Sequence, residues 1–295
     1  MPRIIICLLC IAVTLSAQAR DFSKKPPLEL KSRYFDFHYQ RTNWDAKAFA
    51  RFADEFVDLI NRDFFKVDFD YPIQVLVFTD RETFQAFLRT EFGERNPPGY
   101  GIYLGRLKLF ATYEDSGLGT FAHEIMHPLV EHNLRDRPAW AVEAIPSFFE
   151  KFYGYYDGGT LKIHWGYQNP WRIHALGTRL FTLDLETIIH GVAPANGYDT
   201  SELRLISVFL WQQGKFQRLI HLIAQRQHNG FSSYFEAAME MPMKDIIPLW
   251  KRYLDDIVDH RDLLLQLPAS QVFDNEAEFS SFVTQHEITL FSESK

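Results

Sequence analysis

Five consecutive residues near the middle of the chain, His123-Glu124-Ile125-Met126-His127, combine side chains that ligate metals with one that transfers protons. On a helix the two histidines fall at positions i and i+4, on one face and about 5–6 Å apart at Cβ. Both imidazoles then reach a single metal ion at a Zn–N distance of about 2.0–2.1 Å. Glu124 would serve as the general base for a water molecule activated by that metal. The alternative is a surface helix that carries two unpaired histidines.

A catalytic zinc ion needs a third protein ligand and one open coordination position. Glu143 is the best candidate, because it follows the second histidine on another helix, which Pro138 opens. The connection over residues 133–137 is short, so the two helices should pack as neighbours. Apolar residues surround Glu143 in the sequence, and a carboxylate among them costs free energy unless it is paired or metal-bound. The alternative is an ordinary glutamate that faces solvent.

The sequence resembles the gluzincin metallopeptidases, specifically the group of secreted bacterial proteins with a peptidase MA-like domain. The metal motif followed by Pro138–Ala144 carries the resemblance, supported by the strand and helix start at Val75–Phe87 and the aromatic, glycine-containing stretch Gly99–Leu104. The resemblance is strongest over about residues 30–155 and continues weakly to about residue 258. It implies a zincin-like fold and hydrolysis of peptide bonds by a zinc-activated water.

The resemblance also assigns roles to individual residues. It implies His123, His127 and Glu143 as ligands of one Zn²⁺ ion, with Glu124 as general base and acid. Tyr198 is the candidate donor to the oxyanion of the transition state, on the resemblance and on its polar setting; plain packing is the alternative in a chain with 13 tyrosines. The alternates for this donor are His164 and His174.

The sequence departs from the family pattern at several positions. Pro128 directly follows the second histidine and removes the helix hydrogen bond to the Glu124 carbonyl. Pro146 and Ala144 stand where the family usually has Ala and Gly, and Ser147 stands where relatives such as thermolysin have an aspartate that supports the site. These departures predict helix kinks that shift the ligands. They leave a second function open, a catalytically weak or inactive gluzincin-like envelope protein that acts as a binding or assembly module.

The elements around the motif predict an α+β fold. Alternating or β-branched runs predict strands at Tyr34–Tyr39 and Ile73–Phe78, the second central in its sheet. Helices follow each strand, one from Asn43 and one from the Thr79–Glu82 capping pattern. Two short strands are predicted at 100–104 and 107–112, joined by a two-residue turn at Gly105-Arg106. The metal helix follows, capped by Ser116 or Thr120. A hairpin or an ordered loop is predicted over 153–165. Together they predict a small mixed sheet carrying the two ligand helices.

The C-terminal half has helical patterns separated by glycine, Asn-Gly and proline signals. These patterns predict helices at 201–213, 216–227, 231–239 and 243–258. We therefore expect a signal peptide over 1–19, a zincin-like catalytic lobe over 20–165, a mainly helical lobe over 166–260 and a C-terminal tail over 261–295.

The N-terminus has the features of an export signal. Arg3 precedes an apolar stretch over Ile4–Leu15, and Ala17-Gln18-Ala19 matches a cleavage site. Both cysteines, Cys7 and Cys10, lie inside this segment, so the mature protein would have no disulfide. We expect a periplasmic or secreted protein without a stable membrane span after cleavage. A net charge of −7 and the lack of a long basic run argue against nucleic-acid binding, which leaves a peptide or protein substrate as partner and the oligomeric state open.

Overall fold

A computed structural model of the protein describes residues 24–41, 45–65, 71–135, 137–190, 199–226, 228 and 230–288. The predicted signal peptide, the helix cap Asn43 and the oxyanion donor Tyr198 lie outside the described residues.

The described residues form eight strands in two sheets. The strands are β1 (Leu28–Lys31), β2 (Phe35–Tyr39), β3 (Ile73–Phe78), β4 (Gly101–Leu104), β5 (Leu109–Tyr113), β6 (Tyr153–Asp157), β7 (Thr160–His164) and β8 (Gln271–Phe273). The larger sheet has the order β1-β2-β3-β5-β4, with β3 in the centre, parallel to β2 and β5. Strands β1 and β4 pair antiparallel at the two edges. The predicted mixed sheet and its central strand are confirmed.

Helices account for most of the remaining described chain. They are α1 (Ala46–Asp63), α2 (Arg81–Phe92), α3 (Gly117–Asn133), α4 (Ala141–Phe149), α5 (Pro170–Leu176), α6 (Leu185–His190), α7 (Thr200–Gln212), α8 (Phe216–Gln225), α9 (Phe231–Met239), α10 (Met243–Asp259), α11 (Arg261–Leu264) and α12 (Glu276–Gln285). The larger sheet is formed by the first part of the chain and the second part is mainly helical, so the predicted α+β class is confirmed.

The central strand separates two layers of apolar side chains. Successive side chains of a strand point to opposite faces of its sheet. Val75 and Val77 therefore belong to a cluster with residues of α1 and α3, whereas Leu76 and Phe78 belong to another with residues of α2. Phe121 of α3 contributes to the first cluster, where it lies 5.3 Å, centroid to centroid, from a ring of β5. This packing fixes the metal-motif helix against the sheet.

Two connections differ from the prediction. A 3₁₀ turn over Gly105–Leu107, and not a two-residue turn, links β4 to β5, because the Lys108 amide donates to the Gly105 carbonyl at 3.2 Å and Lys108 has a φ of 50°. The second ligand helix begins at Ala141 rather than at Pro138. Pro138 instead opens a preceding turn, in which the Ala141 amide donates to its carbonyl at 3.0 Å.

The C-terminal helices share a core with the N-terminal sheet. Phe148 of α4 packs against Phe216 of α8 with ring centroids 4.2 Å apart, inside one cluster that runs from Tyr34 to Ile257. The predicted tail contributes β8, which pairs parallel to β6 of the hairpin. The predicted domain boundaries remain a prediction. No helix of the described residues is long and apolar enough to cross a membrane.

Gly119 lets α3 approach the end of α4. A Cβ atom at this glycine would lie 2.2 Å from the backbone oxygen of Glu150, far inside van der Waals contact. The neighbour is backbone and has little freedom to move. A side chain at this position would therefore push the two helices apart.

We expect Gly119→Ala to destabilise the protein, although alanine usually stabilises a helix interior by about 1 kcal/mol relative to glycine. Overpacking of this kind costs about 1–3 kcal/mol. Urea unfolding followed by circular dichroism measures the change. A free energy of unfolding that rises, as helix propensity alone requires, would contradict the close approach.

Candidate metal centre

Helices α3 and α4 bring the three predicted metal ligands together. His123 and His127 are one turn apart on α3, with ring centroids separated by 5.0 Å, and Glu143 lies in the first turn of α4. Nε2 of His123 is 3.5 Å from Oε2 of Glu143, and Nε2 of His127 is 3.9 Å from Oε1 of the same carboxylate. The candidate ligand atoms of the three residues all lie within 4.8 Å of one another.

This donor set fits a zinc ion. Two ligand atoms that are each about 2.0–2.1 Å from a tetrahedral zinc lie about 3.4 Å from one another. The observed separations of 3.5 and 3.9 Å need only small side-chain movements to reach that value. Helix α3 continues through Pro128 and α4 through Pro146, so the two prolines do not separate the ligands.

Glu124 is buried beside the cluster and beneath strand β4. It is 7% exposed, and its Oε2 lies 3.9 Å from Nε2 of His127. The strand passes so close that a Cβ atom at Gly101 would lie 3.1 Å from the Glu124 Cγ atom. Burial, reinforced by the negative charge of Glu143 and Glu150, raises the pKa of Glu124 to about 7. A carboxyl group with such a pKa can both accept and release a proton near neutral pH.

The pKa values of the two histidines are shifted in opposite directions. Burial alone would lower the pKa of His123, but the nearby carboxylates of Glu143 and Glu150 outweigh it and raise that pKa to about 9. Burial and then the positive charge of His123 lower the pKa of His127 to about 3. The cluster thus concentrates positive charge at one histidine and keeps the other neutral, which is the form that binds metal.

Glu150, which the sequence analysis missed, lies behind His123. Its Oε2 is 3.3 Å from Nδ1 of His123, within ion-pair distance but without a well-aligned hydrogen bond. Arg172 donates to both carboxylate oxygens at 2.9 Å, and Asn169 donates to Oε1 at 2.9 Å. A carboxylate behind a ligating histidine orients its ring and raises its basicity. One available signal was a charged pair, Glu150-Lys151, between two stretches of buried phenylalanines.

A second arginine lies close to the Glu150 carboxylate. Arg204 of α7 is 1% exposed, and its Nε lies 3.6 Å from Oε1 of Glu150. It donates to the backbone carbonyls of Ser147, Phe148 and Tyr167. Burial would raise the pKa of Glu150, but Arg172, the nearby His123 and Arg204 hold it well below its usual range. Glu150 is therefore ionised in the folded protein.

Other predicted positions contribute less. The Ser147 hydroxyl donates to the Ala144 carbonyl at 3.0 Å, so within the described contacts it does not support the ligands as an aspartate would. His164 stacks on Phe279 at 5.1 Å and, like His174, does not line either cavity beside the cluster. Tyr198 lies outside the described residues, so its role as oxyanion donor stays a prediction.

Two cavities meet at the cluster, and each has a volume of about 410 Å³. Both are lined by Gly101, His123 and Glu124. The first cavity extends along the second half of α3 towards Arg137, and the second extends over the start of α3 towards Trp171. The candidate centre thus lies in the middle of a cleft that is open on both sides.

Comparison with known proteins assigns no family to the chain. No family model matches the sequence, and no curated protein matches it. The resemblance to gluzincins therefore rests on the motif residues and remains a prediction.

Lys151 is a buried cation at the wall of the second cavity. It is 2% exposed, its Nζ donates to the Pro268 carbonyl, and it lies 4.8 Å from the ring centroid of Tyr153. Burial and the positive charge of Arg204 lower its pKa to about 7, although Glu150 acts in the opposite direction.

We expect Glu150→Gln to weaken zinc binding by about 10- to 100-fold, as the loss of a carboxylate behind a ligating histidine typically does. Isothermal titration calorimetry with ZnCl₂ measures the affinity. Glu131→Gln is the matched control, because Glu131 lines the first cavity but pairs with Lys108 and not with a histidine. Equal zinc affinities for Glu150→Gln and the wild type would show that Glu150 does not contribute to metal binding.

Lys151 makes stability depend on pH. Between its folded pKa of about 7 and its unfolded value of about 10.4, the unfolded chain holds a proton that the folded protein lacks. Stability therefore rises with pH in this window, by at most about 1.4 kcal/mol per pH unit from this group. Lys151→Met should reduce that rise in urea unfolding at pH 7, 8.5 and 10. The exposed Lys162 on β7 provides the control, since Lys162→Met should keep the wild-type slope, and an unchanged slope in Lys151→Met would contradict the assignment.

Proposed function

We propose that the protein is a zinc-dependent peptidase of gluzincin type that acts in exported, mature form. One observation carries the proposal: two histidines and a glutamate converge within 4.8 Å, and a second, buried glutamate lies beside them. Three protein ligands and an open position are the arrangement of catalytic rather than structural zinc sites. His123, His127 and Glu143 would hold the ion.

The chain's own groups account for the proton transfers of peptide hydrolysis. When bound, zinc would lower the pKa of a water molecule and polarise the scissile carbonyl. Glu124 takes a proton from the attacking water as its oxygen bonds to the carbonyl carbon. It then delivers the proton to the amide nitrogen as the carbon–nitrogen bond breaks. The pKa of about 7 is suited to a group that must do both.

Strand β4 provides a site for the substrate backbone. It pairs with β5 on one side, lies at the edge of its sheet, and contributes Gly101, Ile102 and Tyr103 to the first cavity. An extended peptide can add to such an edge through main-chain hydrogen bonds, which would make part of the recognition independent of sequence. Bulky substitutions at Gly101 cannot test this role alone, because they would also displace Glu124.

Metal analysis and one substitution test the function. We expect one zinc per wild-type chain and hydrolysis of members of a fluorogenic peptide library. Glu124→Gln should retain zinc and lower kcat/KM by about 10²- to 10⁴-fold, because it removes the general base without removing a ligand. Glu131→Gln, on the same helix, should retain activity.

The outcome also separates the peptidase from the second candidate, a non-catalytic binding or assembly module. Zinc bound at one ion per chain without any cleavage that depends on Glu124 would refute the peptidase and favour the module. A chain that binds no zinc would refute the metal centre itself.

A further inference from the structure

The first cavity contains an arginine with an unpaired terminal nitrogen. Arg137 lies in the connection between α3 and α4 and lines this cavity, and its Nη1 donates to the Leu134 carbonyl at 3.3 Å. Its Nε is buried without a hydrogen-bond partner in the part of the chain that the structure describes, so a ligand cannot reach that nitrogen. Nη2 is not among the buried polar atoms and makes no hydrogen bond to a described residue, so it can donate charge-assisted hydrogen bonds to a carboxylate.

The nearest acidic group of this cavity that no metal would engage already has partners. Glu131 accepts from Nζ of Lys108 at 2.9 Å and from the Tyr103 hydroxyl at 3.1 Å. Within the described residues, no carboxylate lies in ion-pair distance of Arg137. The guanidinium of Arg137 therefore lines the cavity without an acidic partner among those residues.

Arg137 shares the first cavity with the candidate centre, because His123, Glu124 and His127 line the same cavity. The cavity also includes Val130 and Glu131, so it extends from the centre along α3. Arg137 is not one of the groups that would hold the metal, so a substrate group that meets it is a group other than the scissile carbonyl.

The second cavity provides the contrast. Its arginine, Arg172, is bound to both oxygens of Glu150 and lies 3.7 Å from the ring centroid of Trp171. Its Nε and Nη2 are both occupied by Glu150, and the other cation of this cavity, Lys151, is buried and donates to the Pro268 carbonyl. A preference for acidic groups should therefore come from the first cavity.

We propose that Arg137 makes the first cavity a carboxylate-binding subsite, so that the protein selects peptides with an acidic group a few residues from the scissile bond. This inference rests on the proposed peptidase function. The carboxylate can come from an Asp or Glu side chain or from a free C-terminus, and both present the same two oxygens to the guanidinium.

Matched peptides test the subsite by kinetics. In an otherwise neutral fluorogenic peptide, a single Asp or Asn is placed at successive positions, and each peptide is made with a free or an amidated C-terminus. For the wild type, kcat/KM should be about 10- to 100-fold higher for one Asp position, or for the free acid, than for its neutral counterpart. The arm that shows the difference identifies the source of the carboxylate.

Substitutions assign the preference to the residue. Arg137→Gln should remove the advantage of the acidic peptide and change kcat/KM for the neutral one by less than about two-fold. Arg137→Glu should shift the preference to a Lys peptide. Arg106→Gln, an exposed arginine in the turn after β4, should keep the acidic preference. The subsite would be overturned by equal wild-type rates both for Asp and Asn peptides and for free and amidated C-termini, or by an equal loss on acidic and neutral peptides in Arg137→Gln.

A binding measurement separates this inference from the peptidase proposal. Zinc-loaded Glu124→Gln is titrated with the Asp and Asn peptides by calorimetry, which requires no turnover. Tighter binding of the acidic peptide, lost in Glu124→Gln/Arg137→Gln, supports the subsite even if the wild type cleaves nothing and the peptidase proposal fails. Cleavage without any acidic preference, together with equal binding of both peptides, rejects the subsite and leaves the peptidase intact.

Discussion

The burial of charge beside His123 is the constraint on which the rest of the structure depends. Carboxylates in a protein interior are costly unless they are paired and hydrogen-bonded. Glu150 is 5% exposed and satisfies this condition through Arg172 and Arg204, which come from α5 and α7. The C-terminal helices thus supply the two arginines that stabilise the ionised carboxylate of Glu150 beside His123. They and the two helices α3 and α4 form one structural unit around the centre.

The same constraint explains why α3 and α4 lie so close together. Glu143 can reach both histidines only if the first turn of α4 lies beside the middle of α3, and Glu150 can reach His123 only if the end of α4 lies near the start of α3. Gly119 makes the second approach possible. Ser270 reinforces it from the C-terminal segment, since its hydroxyl donates to the Glu150 carbonyl at 2.9 Å. The supports of the centre therefore come from widely separated parts of the chain.

Short-range sequence patterns were sufficient to predict the central strand and the helix that carries both histidines. The β-branched run Ile73–Phe78 predicted the central strand with its observed bounds, and the spacing of His123 and His127 predicted a shared helix face. Glu143 was predicted from its apolar neighbours. Glu150 was not, because its role follows from Arg172 and Arg204, which meet it only in the tertiary structure. Strand β8 was not predicted for a similar reason, because its three residues form a strand by pairing with β6.

The two prolines lie inside helices that continue past them. Proline in a helix removes one hydrogen bond and introduces a steric conflict with the preceding turn. Pro128 and Pro146 are both buried, and each lies on a helix packed on the other and on the shared core. Tertiary packing maintains helices more strongly than intrinsic propensity does. The ligands therefore stay within reach of one another although both helices lack a hydrogen bond.

The two cavities differ in the charged side chains that they offer to a substrate. If strand β4 binds the backbone of an extended peptide, as proposed, selectivity must come from side chains on either side of the centre. On one side Arg172 is bound to Glu150, and the exposed rings of Tyr100 and Trp171 lie 6.2 Å apart at the rim. On the other side, Arg137 has no carboxylate partner among the described residues, and its Nη2 is unpaired there. An arginine that holds the centre in place and an arginine that remains free for a ligand are distinguished only by whether the chain provides a carboxylate for them.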